Sequence, residues 1–206
     1  MSQGVNINFN HNIISLDVIK KAYYLNKLGV KGSVQVENIA SIIQSIYFYH
    51  DLIVKNNIQG ILERNLCRNI IIHSFSVIEA IVISVGYKIQ RACLKSSVKH
   101  SFCSNSMFSH PNPKTNEIHA FKNADAYLQK IGFLDFKTVE SRRFYVDFRN
   151  TRNDVHIIKS DITVDKNPRY TRKYCQQAVT FLQTFFEVFK NNLEYLEKRS
   201  GLVLDE

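Results

Sequence analysis

The sequence has 206 residues, enough for one substantial hydrophobic core or one core with a small accessory lobe. Its 45% hydrophobic and 22% charged content argues against a disordered chain, and 7 Gly with 3 Pro supply too few turn residues for an all-β sandwich or barrel. The 27 Lys and Arg against 18 Asp and Glu give a formal charge of +9, which favours a polyanionic partner such as nucleic acid, or a protein with an acidic surface.

Cys67, Cys93, Cys103 and Cys175 form no C-x-x-C pair and match no zinc pattern, so neither a metal nor another cofactor is expected. Cys67 and Cys93 sit in apolar helical surroundings and read as small core residues. The opening MSQGVNINFN has no basic segment followed by an apolar run, so no signal peptide is expected. The apolar stretch IEAIVISVGY reads as too short and too polar at its edges to cross a bilayer. These features predict a cytoplasmic protein with reduced thiols and no membrane contact.

Along the chain, residues 1–13 are Asn-rich and aperiodic, and residues 1–35 read as an N-terminal extension to a core spanning 36–197 of a single domain. Within the extension a short helix is predicted at about 15–28, with Ser15 as N-cap and Gly29 as its stop. From Val36 to about Asn56, Ile39, Ile42, Ile43, Ile46 and Ile53 recur at three-to-four spacing, the mark of an amphipathic helix. A longer helix follows from about Ile61 to Leu94, apolar almost all round at its centre and so suited to the middle of a bundle. Residues 96–120 form one long loop, of the kind that is functional or mobile. A short helix at about 123–131 stops at Gly132, and another begins near Thr138. The polar stretch KSDITVDKNPR separates it from a last helix over about 171–198, striped by Leu182, Phe185, Phe186, Phe189 and Leu193. The reading is all-α: an up-and-down bundle of four principal helices with short accessory helices.

The residues that carry chemistry lie in FRNTRNDVH, from Phe148 to His156. Arg149 and His156 are seven apart, about two helical turns, and so share a face, with Arg152 and Asn153 between them. This set suits metal-free RNA cleavage. A histidine can take the proton of a ribose 2′-hydroxyl, and an arginine fork matches the phosphate oxygens of the resulting phosphorane. Asn150 can orient either group. The need for a 2′-hydroxyl makes such a site selective for RNA. Arg142 and Arg143 can track a phosphate backbone, as can the basic residues around Arg169–Lys173. Tyr145 and Tyr170 are candidates to stack a base. His100, His110 and His119 read as scattered solvent histidines.

At these residues the chain resembles the HEPN superfamily, helical bundles carrying an Arg, four to six residues and then a His, often with a polar residue directly after the Arg. Arg149-Asn150 with His156 takes the longest of those spacings. The run from Arg68 to Ala80, with Glu79 among apolar residues, is similar to the second helix of that family. Arg68, Asn69 and His73 make a competing match, set aside because residues five apart point to different faces and because the segment reads as buried. A buried Glu79 needs a cationic partner, for which Arg149 and Arg68 are the two candidates.

The resemblance implies an endoribonuclease acting as a homodimer with a composite site of Arg149, Asn150 and His156, supported by Glu79, Arg152 and Asn153. It further implies RNA as partner, and a toxin or antiviral role under the control of an antitoxin or regulatory protein. The alternative is a non-catalytic RNA- or nucleotide-binding or protein-interaction module of a defence or regulatory complex.

Overall fold

The computed structural model describes residues 13–26, 32–95, 121–154 and 168–200. Six helices follow in order: α1 (Leu16–Ala22), α2 (Gly32–Lys55), α3 (Gly60–Lys95), α4 (Phe121–Lys130), α5 (Val139–Asp154) and α6 (Arg172–Ser200). Among the described residues there is no strand, and the protein is an all-α bundle in which α2, α3, α5 and α6 are the long members. Residues 1–12 and the loop at 96–120 lie outside the described residues.

Local chemistry accounts for where the helices start. Ser15 Oγ accepts from the Val18 amide, Thr138 Oγ1 from Ser141 and Thr171 Oγ1 from Tyr174, so each hydroxyl satisfies a donor left open by the first turn.

Three helix ends use one device. The residue after the cap turns left-handed, and the next amide reaches back to close a six-residue loop. Tyr24, Asn57 and Gly132 hold φ of 53°, 45° and 74°. The amides that reach back are Leu25 to Lys20 O, Ile58 to Ile53 O, and Phe133 to Leu128 O. Leu25, Ile58 and Phe133 are all buried, so each turn also drives an apolar side chain into the core. Gly132 ends its helix as the sequence predicts. Helix α1 instead stops at Ala22, well short of Gly29. Tyr24 takes the left-handed turn there, held by Lys190, whose Nζ donates to the tyrosine hydroxyl at 2.7 Å and lies 4.1 Å from the ring centroid.

Helices α2 and α3 form an antiparallel hairpin. Gln35 meets Ser84 near one end, and the Tyr49 and His73 rings lie 6.1 Å apart near the other. Helix α5 runs antiparallel to α6, with Asp147 against Tyr174 and Phe144 against Phe181. The core is a ladder of aliphatics from α2 and α3, closed by aromatics: Phe75, Phe148, Phe181, Phe185 and Phe189 are all buried, with Phe75 and Phe148 edge to face at 5.4 Å. Helix α1 shares this core through Ile19, Leu25 and the Tyr23–Phe186 ring contact at 4.4 Å, so the segment expected to be an extension is packed into the bundle.

One expectation about α3 changes. The stretch Gly60–Ile89 is by length and composition long and apolar enough to cross a bilayer, well beyond the short segment singled out in the sequence. Of its most apolar window 61% is buried inside the fold, which is what a bundle demands of its central helix.

Candidate functional site

The centre of the site is a buried carboxylate that the sequence reading did not single out. Asp125, on α4, is 2% exposed. Its Oδ1 accepts from Tyr145 Oη at 2.5 Å and from Gln129 Nε2 at 2.8 Å, and its Oδ2 accepts from Arg149 Nη1 at 2.9 Å. Asp125 and Gln129 are four apart on α4, as Tyr145 and Arg149 are on α5, so two helix faces meet through one carboxylate. Burial and the bond to Asp125 push the Tyr145 hydroxyl well above the ordinary tyrosine range, and so keep it a donor; the nearby Arg149 charge acts the other way.

Arg149 is therefore positioned rather than free to sweep. One nitrogen is committed to Asp125, while the side chain remains 39% exposed and can present its fork outward. Asn150, the next residue, is exposed and lines a surface groove of about 510 Å³ with Val139, Arg142, Arg143, Val146 and Asp147. Beyond Arg143 a second groove, of about 620 Å³, runs between α5 and α6, walled by Phe144, Lys173, Gln177, Thr180 and Phe181 among others. Arg143 borders both grooves.

Several expectations are corrected. Tyr145 is 2% exposed and its hydroxyl is spent on Asp125, so it cannot stack a base; Tyr170 is buried as well. The half-buried ring at the groove wall is Phe144. Glu79 is half-buried rather than fully buried, and the carboxylate that takes Arg149 is Asp125 instead. Arg142 lies at the surface, with Nη2 at 3.3 Å from both Asp135 Oδ1 and the Phe136 carbonyl. Arg169 donates to Asp147, which also accepts from Tyr174.

In the competing match, α3 is regular through Arg68 and His73, which puts them about 140° apart around the axis. His73 rests against Tyr49, and burial lowers its pKa. Helix α5 reaches Asp154, so the backbone of Arg152 and Asn153 is helical, while their side chains lie outside the described residues. His156, His100, His110 and His119 also lie outside them. Among the described residues no group of three or more His, Cys, Asp or Glu converges as a metal site would require.

A signal for Asp125 was present. In FKNADAYLQK the buried positions are Phe121, Ala124, Tyr127 and Leu128, and Asp125 falls on that apolar stripe. A carboxylate at a core position calls for a cationic or donor partner. Comparison with known proteins identifies no relative: no family model matches the chain, and no curated protein or solved structure matches it.

Proposed function

We propose that the protein is a metal-independent endoribonuclease in which Arg149 holds the scissile phosphate, Asn150 orients it and His156 transfers the proton of the ribose 2′-hydroxyl. The observation that carries this reading is the Asp125 anchor. It pins Arg149 in the C-terminal half of α5, next to the exposed Asn150 amide and a groove edged by Arg142 and Arg143. A guanidinium held from behind meets a phosphate without first losing its own rotamer freedom, which is how a preorganised cation stabilises developing charge. The excess of 27 basic over 18 acidic residues favours approach of a polyanion. In this reading two copies pair so that both sets of residues face one phosphate, and a protein partner restrains the activity.

The test is incubation of single-stranded RNA with the full chain in metal-free buffer containing a chelator. Attack by the 2′-hydroxyl leaves fragments ending in a 2′,3′-cyclic phosphate, and an all-deoxy copy stays intact. His156→Ala and Arg149→Ala should each slow cleavage at least about 100-fold. Failure of the wild type to cut, or cleavage untouched by His156→Ala, overturns the proposal.

A second reading has one observation in its favour: part of the Arg149 fork is already spent on Asp125, as it would be in a strut between α4 and α5. In that case the bundle is a binding module for RNA, a nucleotide or a protein. RNA affinity that falls with salt and survives His156→Ala, without any cleavage, identifies it.

A further inference from the structure

Cys67 on α3 and Cys175 on α6 are both free and both fully buried. Their side chains are hydrogen-bonded to each other. They are about 100 residues apart in sequence, and the parallel course of α3 and α6 brings them together. One turn before them on both helices, Glu63 and Arg172 form an ion pair at 2.7 Å, with Arg172 also donating to the Ile58 carbonyl at 2.8 Å. The thiol pair thus lies directly beneath a half-exposed ion pair that joins the same two helices.

We propose that Cys67 and Cys175 are a peroxide-oxidised pair, closing to an intramolecular disulfide that staples α3 to α6 and reopening under thiols. Cys67 is the attacking sulfur. The bond donated by Cys175 lowers its pKa against burial and the Glu63 carboxylate, which both raise it, while the Arg172 and Arg64 charges act with the bond. Cys175 is pushed the other way, by its bond to Cys67 and by burial, and stays a protonated donor. The Cys67 thiolate attacks one peroxide oxygen. The O–O bond breaks, and hydroxide leaves and takes up a proton as water, which makes Cys67 a sulfenic acid. Cys175 then loses its proton and attacks that sulfur. The S–O bond breaks, a second water leaves, and the disulfide remains, so two thiols are oxidised for one peroxide reduced.

The experiment treats the reduced full chain with hydrogen peroxide, removes the peroxide, and then blocks free thiols with an alkylating reagent in denaturant, because both cysteines are buried in the fold. Trypsin releases Cys67 in Asn65–Arg68 and Cys175 in Tyr174–Lys190. The expected product is these two peptides joined, lighter by two hydrogens and separated again by dithiothreitol. Melting should rise by roughly 5–10 °C on oxidation, because the staple closes a long loop. Cys175→Ala removes the second sulfur, so it should yield no joined peptide and should abolish the rise. Should Cys175→Ala fail to fold, Cys175→Ser serves in its place. Peroxide that leaves both cysteines fully alkylatable, or carries Cys67 to sulfinic acid without a cross-link, overturns the proposal.

Discussion

Replacing Asp125 by Ala tests whether a single carboxylate joins α4 to α5. The substitution strips the acceptor from three donors, and their exposure decides what each contributes. Tyr145 is 2% exposed, so its hydroxyl finds no water in exchange, at a cost of about 1–3 kcal/mol. Arg149, 39% exposed, recovers much of its hydration, so its share is that of a screened pair, about 0–1 kcal/mol. Gln129 is exposed and adds little. The sum is about 1–4 kcal/mol. Removing Arg149 instead leaves Asp125 buried with only its two neutral donors and costs about 1–3 kcal/mol. Once Asp125 is gone, loss of Arg149 strands no buried charge, so the double substitution is cheaper than the two singles together. Urea unfolding of the wild type, Asp125→Ala, Arg149→Ala and the double variant, at unchanged m, should give a coupling of about 1–2 kcal/mol. Additivity within about 0.5 kcal/mol, or an Asp125→Ala protein as stable as the wild type, refutes the reasoning.

Gly132→Ala should destabilise by about 1 kcal/mol through backbone conformation alone, since φ is 74° and an added Cβ meets nothing within 4 Å; a melting curve unchanged from the wild type would count against the left-handed cap. Burial lowers the pKa of both His50 and His73 below the ordinary 6.5. Between the lowered and the ordinary values the unfolded chain binds more protons than the folded one, so stability is complete above 6.5 and falls as pH drops below it. His73→Gln should flatten part of that acid slope in urea titrations, and an identical slope would remove His73 from the account.

Those tests divide along the line between local and long-range information. The helices were readable because their causes are local: three-to-four apolar spacing in α2 and α6, hydroxyls at Ser15, Thr138 and Thr171, and a glycine at 132. Each of these acts within a turn or two of chain. Where a distant residue intervened, the sequence reading went astray. Tyr24 ends α1 because Lys190, far along the chain, secures it, and nothing within α1 announces this.

The site divides in the same way. The sequence by itself determined that Arg149 and Asn150 sit on one helix, about 100° apart around its axis, whatever that helix packs against. Only the tertiary structure decided that Tyr145 faces inward, that Asp125 rather than Glu79 receives Arg149, and that Cys67 meets Cys175. Each of those pairings joins two helices, and which faces meet follows from burying the apolar stripes of all the helices at once.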